Sequence, residues 1–293
     1  GLKDRIDRRW METYNDFGAA MVARMEAEPE SQRCAGCGGK VGPDVLQAQL
    51  GARSQAGDVA PLNDHEVASV DLLRDGFDDP FLFGKVAAVH ALSDLHAAGA
   101  TNPRLLAALT LPYARSVPLS RDLEQVQAGL ESARVPVIGG HTAEGSELSA
   151  AVTVVGDTAA TSAARTPEAG DSLILTKPLG VGLILAARMV GRVLPQDVQA
   201  AFEHCEQDNA AAAAALADFD IGLRTDVTGF GMLGHLLSSL PQSLGAVIDT
   251  EALPLLTGAR EAFDAGVRPS IFSGNQRATA GHVSPDLAES LSA

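Results

Sequence analysis

Apolar stretches of strand length alternate with segments of helical period along this chain, and that alternation limits what it can fold into. Residues 67–71 read as a strand ending in the carboxylate Asp71. Over 83–98, Val86, Val89 and Leu92 or Leu95 recur at helical spacing, so a helix is expected there. Residues 105–111 form a buried-type strand, 119–133 an amphipathic helix, and 150–155 another strand. Between them, 135–138 is a short strand running into Gly139-Gly140-His141-Thr142. A helix also suits 43–50. Around 158–170 the composition turns small and polar, which marks a domain boundary. The second half restarts with a strand at 172–176 and a helix from about Val181. A helix through 208–217 and a strand at 246–249 follow. Strands and helices mixed in both halves give an α/β or α+β protein. At 293 residues there is enough chain for two cores. The expected organisation is a helix and polar linker over 1–33, a first domain over 34–160 and a second over 161–293.

The net charge of −15 argues against a nucleic-acid binder or a protein of anionic membrane surfaces. It leaves room for a nucleotide, whose phosphates can be held by magnesium, backbone amides and a lysine or two. No apolar run approaches the roughly 20 residues that span a bilayer. Three cysteines in 293 residues without a signal-peptide layout read as cytoplasmic. The chain opens at Gly1 on a charged amphipathic pattern and closes on a polar one, and both ends read as cut from something longer.

Chemistry concentrates first in Cys34-Ala35-Gly36-Cys37-Gly38-Gly39-Lys40. A soft nucleophile and an ammonium stand three residues apart in a loop kept open by small residues, and a nearby cation favours the thiolate. One C-x-x-C could be half a zinc site, but the remaining cysteine, Cys205, is distant and has no cysteine partner. A thioredoxin-like pair needs a βαβ setting that the polar residues before Cys34 do not offer. Downstream stand dispersed carboxylates in small-residue settings: Asp58, Asp71, Asp94 and Asp226. Hard cations such as magnesium take oxygen ligands spread along a chain in this way, although a cap or a solvated side chain is the ordinary reading of any one. Asp94 is the less ordinary case, since it sits among apolar residues and a buried carboxylate needs a partner.

Gly139-Gly140-His141-Thr142, directly after a strand, can present amides to a phosphate or form a simple turn. Gly229-Phe-Gly231-Met-Leu-Gly234 fits the dinucleotide fingerprint G-x-G-x-x-G, but a poor strand precedes it. A tight turn opening a helix is the better reading, with Asp226 beside it as a metal ligand. His90, His96 and His235 taken singly read as packed or surface histidines.

In order and spacing these motifs resemble the selenophosphate synthetase (selenide, water dikinase) family. The matching pieces are Gly36-Cys37-Gly38-Gly39-Lys40, Asp58-Val-Ala, Val70-Asp71, Asp79-Pro-Phe-Leu-Phe-Gly84, Ala91-Leu-Ser-Asp94, Gly139-Gly-His-Thr142, Leu175-Thr-Lys-Pro-Leu-Gly-Val-Gly182 and Asp226-Val-Thr-Gly-Phe-Gly-Met-Leu-Gly-His235. They cover about residues 34–283. The resemblance implies a two-domain aminoimidazole-ribonucleotide-synthetase-like fold, usually a homodimer with ATP near the interface. It implies conversion of ATP, selenide and water to selenophosphate, AMP and phosphate with magnesium. By position, Cys37 is then the thiol that handles selenium and Lys40 its catalytic partner and a nucleotide contact. Asp58, Asp94 and Asp226 hold magnesium, and Asp71 and Asp94 contact the nucleotide. Gly140, His141 and Thr142 contribute across the dimer, and Gln55, Ala56 and Gly57 stand where the family has further nucleotide contacts.

Four features depart from the family. His90 stands where Asn is common, and Cys34 adds a second thiol. The family's C-terminal Asp-Pro-Gln-Thr-Ser-Gly-Gly segment is absent, which implies an incomplete second domain. Residues 1–33 lie outside the usual synthetase, and Ile6-Asp-Arg-Arg-Trp10 resembles the tail of a pyridine-nucleotide-disulfide oxidoreductase, as in fused forms of the enzyme. Other ATP-using members of the superfold are a purine-pathway synthetase, thiamine-monophosphate kinase and the hydrogenase-maturation type. The Cys37/Lys40 loop argues against all three. An inactive, truncated interaction module would bind no ATP in a magnesium-dependent way.

Overall fold

The computed structural model describes residues 40–41, 43–50, 57–112, 119–158 and 165–283. Cys34, Cys37, Gln55, Ala56 and the helix expected within 1–33 lie outside these described residues. The chain divides into two units, Gly1–Arg33 and Cys34–Ala293, and everything below belongs to the second.

After helix α1 (Pro43–Leu50) the chain builds a five-stranded sheet from β1 (Ala60–Pro61), β2 (Glu66–Arg74), β3 (Thr101–Pro112), β4 (Val137–Gly145) and β5 (Ser149–Asp157). The spatial order is β1-β2-β5-β3-β4. β5 runs antiparallel to both β2 and β3, and β4 lies parallel to β3 at the edge. Helices α2 (Pro80–Ala98) and α3 (Leu119–Ser132) supply the connections from β2 to β3 and from β3 to β4.

The strand period decides which side is covered. On β5, Ala150, Val152 and Val154 are buried and the residues between them are not. With Leu73 on β2 and Leu105, Ala107 and Leu109 on β3 they continue one core with Phe83, Val86, Leu92 and Leu95 of α2 and Val126 and Leu130 of α3. α2 is apolar almost all round because it lies between the sheet and α3. The opposite side of the sheet is open and apolar, with Val70 and Leu72 each more than 60% exposed and Leu106 and Ile138 also uncovered.

Two local corrections have a clear cause. α2 starts at Pro80 rather than 83, because the Asp79 carboxylate accepts from the backbone N–H groups of Phe81 and Leu82 and Pro80 takes the first helical position. β4 does not stop at 138 but runs through Gly139-Gly140-His141-Thr142, which is a paired strand and neither a turn nor a loop.

In the second half, α4 (Val181–Met189), α5 (Pro195–Cys205), α6 (Ala210–Ala215), α7 (Gly231–Ser239), α8 (Ala259–Asp264) and α9 (Phe272–Thr279) follow in order. Leu183, Ile184 and Ala187 of α4 pack with Ala201 of α5 and Ala259 and Ala262 of α8. The strands expected at 172–176 and 246–249 do not form among the described residues. Leu173, Ile174 and Val247 are exposed instead. Extended chain is stable only with neighbours to pair with, and the parallel bridge nearby, Leu179 to Leu255, lies beyond both segments.

Candidate active site

Ser69 and Asp71 are two residues apart on β2, so both face α2. His90 and Asp94 are four apart on α2, so both face β2. The two periods bring the pairs into register. The Ser69 hydroxyl donates to Asp94 Oδ2, and His90 Nε2 lies 3.7 Å from Asp71 Oδ1. Burial raises the Asp94 carboxyl to about 7, and Asp226, Asp71 and Asp58 push the same way, while the Ser69 hydrogen bond opposes them. Burial also holds the His90 imidazole below its usual range, and its Nε2 is buried with no hydrogen-bond partner.

The second half contributes the segment 225–235. Asp226 is buried, and its Oδ2 has no hydrogen-bond partner. The Thr225 hydroxyl lies 3.2 Å from Asp58 Oδ1, which ties the two carboxylate segments together. Burial raises the Asp58 carboxyl to about 6, and Asp226 is the next cause. The glycine fingerprint is a tight turn opening α7, as its poor preceding strand implied. Gly231 has φ +71°, a conformation glycine adopts without a steric cost, and its N–H bonds Thr228 O at 3.0 Å. The turn carries His235 back so that its Nε2 accepts the Thr228 backbone N–H at 3.2 Å. One ligand atom each from Asp58, Asp226 and His235 lie within 4.8 Å of one another.

Lys40 joins the two halves. Its ammonium is 3.4 Å from Asp71 Oδ1, 3.5 Å from Thr228 Oγ1 and 5.7 Å from the centre of the Phe230 ring. Thus Lys40, Asp58, Asp71, Asp94 and Asp226, dispersed in sequence, meet in one place. Gly57 is exposed and lines a cleft of about 340 Å³ that opens on Asp58. A larger hollow of about 540 Å³ lies at Asn63, His65 and Asp157, and none of the five residues lines it. Gly140, His141 and Thr142 do not join the cluster within this chain. β5 and β3 separate β4 from β2, a spacing of about 14 Å.

Ser69, Thr225, Thr228 and His235 belong to the site and were not assigned to it from the sequence. For His235 a signal existed. A histidine seven residues beyond Thr228 across a glycine turn can return to the turn's own backbone.

Four carboxylates against one lysine leave excess negative charge, and the Asp58 and Asp94 carboxyls are raised by burial and by the neighbouring Asp226. The orphaned Asp226 oxygen points to the same missing counter-charge. A divalent cation that prefers oxygen ligands fits this donor set, since it removes both penalties.

Comparison with known proteins places the chain in a family. Models of AIR synthase related proteins match residues 56–158 as the N-terminal domain and 168–270 as the C-terminal domain. The chain is 31% identical over 275 residues to selenide, water dikinase of Carboxydothermus hydrogenoformans, covering 87% of this chain and 78% of that protein. It is 33% identical over 273 residues to the enzyme of that name from Colwellia psychrerythraea, covering 86% and 79%. Among solved structures, thiamine-monophosphate kinase from Stenotrophomonas maltophilia shares the fold at TM-score 0.57, with 24% identity over 77% of this chain and 81% of that one. Hydrogenase maturation protein HypE does so at TM-score 0.57, with 19% identity over 72% and 70%.

Proposed function

We propose that this chain, which belongs to the selenide, water dikinase family of enzymes, makes selenophosphate from selenide, water and ATP, with release of AMP and phosphate. One observation carries the reading beyond family membership. Lys40 and the four aspartates that the motifs single out converge, and Lys40 reaches across to Thr228, 188 residues away. Convergence over such separations is what a shared chemical task requires. Cys37 lies three residues before Lys40, so the chain tethers their Cα atoms within about 11 Å.

In this mechanism Asp58, Asp94 and Asp226 hold magnesium, which when bound offsets the charge that develops on phosphoryl oxygens. Asp71 fixes the Lys40 ammonium by ion pairing and faces the nucleotide with it. Lys40 supplies a cation that needs no reorganisation during the reaction. The Cys37 thiol lies in the loop where selenide would be held by hydrogen bonding and by the Lys40 ammonium, with no S–Se bond formed and no change of oxidation state.

A second copy of the chain covers the open apolar side of the sheet in this reading. The uncovered Val70, Leu72 and Leu106 support it, because a solvated apolar face of this kind is costly. The edge position of β4 would then let Gly140, His141 and Thr142 serve the partner's nucleotide. The reaction belongs to the cytoplasm in this reading, which the cysteine usage supports. Among the described residues no helix is long and apolar enough to cross a membrane.

Anaerobic phosphorus NMR with ATP, magnesium and selenide tests the reaction. A selenide-dependent selenophosphate signal together with AMP is expected. ATP hydrolysed only to ADP, with no phosphorus–selenium signal, would overturn the proposal.

A further inference from the structure

The geometry points to Thr228 and His235 as positioning residues that set the Lys40 ammonium against Asp71. It rests on the reading of Lys40 as a catalytic group. Two groups in this chain of contacts, the Lys40 ammonium and the Thr228 backbone N–H, can only donate, and the remaining directions are inferred from them. An ammonium has only donors, so Thr228 Oγ1, at 3.5 Å, must accept from Lys40. The hydroxyl proton is then free for another acceptor, and His235 Nε2 stands 3.1 Å away. That nitrogen also receives the backbone N–H of Thr228 at 3.2 Å, so it carries a lone pair and no proton. His235 is therefore the neutral tautomer protonated at Nδ1.

This assignment removes His235 from the metal site, although its ring lies close to Asp58 and Asp226. The Nε2 lone pair is taken by Thr228, and Nδ1 bears hydrogen. If the tautomer were reversed to free Nδ1 for a cation, Nε2–H would face the Thr228 N–H as donor against donor. The cation site is then built of oxygen alone, and the imidazole serves the turn.

The surroundings hold the relay in place. Asn275 donates from Nδ2 to Gly229 O at 3.1 Å, and Gly231 N–H bonds Thr228 O, so the turn is anchored on both sides of its apex. The Phe230 ring is shared, since it stands 5.8 Å from the His235 ring and Lys40 lies over it at 5.7 Å. Lys40 thus meets an anion, a hydroxyl and an aromatic face, and two of those three come from the turn that His235 fixes.

Thr228→Val keeps the shape and the backbone N–H but deletes the hydroxyl, while Thr228→Ser keeps it. The assay is anaerobic selenide-dependent AMP formation by the full chain. Thr228→Val should lower kcat about tenfold with the KM for ATP within about twofold, and Thr228→Ser should restore most of the loss. Wild-type kcat in Thr228→Val, or an equal fall in Thr228→Ser, would overturn the assignment. So would a rise in KM alone. If the wild-type chain makes no selenophosphate, the functional reading fails, and Lys40 itself then decides. Its modification by an amine-reactive reagent, followed by mass spectrometry, should be several-fold faster in Thr228→Val than in wild type. Equal rates would sink the positioning role.

Discussion

Asp94 carries a consequence that can be measured without substrate. Its carboxyl is raised to about 7 in the folded protein, chiefly by burial, from an ordinary value of 3.8. Between about pH 4 and 7 the folded state therefore binds a proton at Asp94 that the unfolded state has released. Stability from this group is present at the acid end of that window and is lost as pH rises through it. Asp94→Asn still accepts from Ser69 but has no charge to bury. In magnesium-free buffer the thermal midpoint of the variant should gain on wild type as pH goes from 5 to 7.5. A constant gap would show that Asp94 is not burdened in this way. Asp58, raised to about 6 by burial and by Asp226, adds to the same effect. Magnesium binding near pH 6 should accordingly release protons, seen as a buffer-dependent heat in calorimetry. Asp226→Asn should weaken magnesium-dependent nucleotide binding by at least tenfold or so, since even loss of an outer-shell partner costs about that much. Unchanged binding would take Asp226 out of the metal site.

At the scale of elements, the crossing of α2 and α3 sets how Asp94 and His90 are presented to β2. That crossing is close because two glycines meet in it. A Cβ built on Gly84 would lie 2.2 Å from the backbone oxygen of Val126, and one on Gly129 would lie 2.1 Å from that of Phe81. Backbone cannot step aside as a side chain can. Gly84→Ala should therefore cost about 1–3 kcal/mol in urea unfolding, and a loss below a few tenths would mean that the helices separate freely. The same scale shows where sequence patterns fall short. α1, α3 and the start of α4 lie where the periodicity sets them, because an amphipathic stripe is a property of neighbouring residues. The segments 172–176 and 246–249 have the apolar content of strands, but a strand also needs a partner, and the partner is a matter of tertiary arrangement.

For the whole molecule, the open side of the sheet is the feature that an assembly would use. Leu72→Glu places a charge in its middle and should leave a monomer in sedimentation velocity, with activity lost if Gly140, His141 and Thr142 serve the partner's nucleotide. A wild-type monomer would remove the dimer from the proposal. Cys37→Ser should abolish selenide-dependent AMP formation while nucleotide binding survives, and full activity in that variant would end the role given to the thiol.

Sequence by itself determined the parts whose cause is local or chemical: the turn that opens α7, the thiol and ammonium three residues apart, and the aspartates in unusually small or apolar settings. It also determined the family, since motifs in order and spacing persist where overall identity is modest. Only the tertiary structure decided which groups share a site. Ser69 meets Asp94 across 25 residues and Thr225 meets Asp58 across 167, and neither pairing leaves a periodic trace in the chain. Short-range pattern reports which face of an element is apolar. Which polar groups meet on those faces depends on the register in which β2, α2 and the turn before α7 pack, and that register is set by burial of the core as a whole.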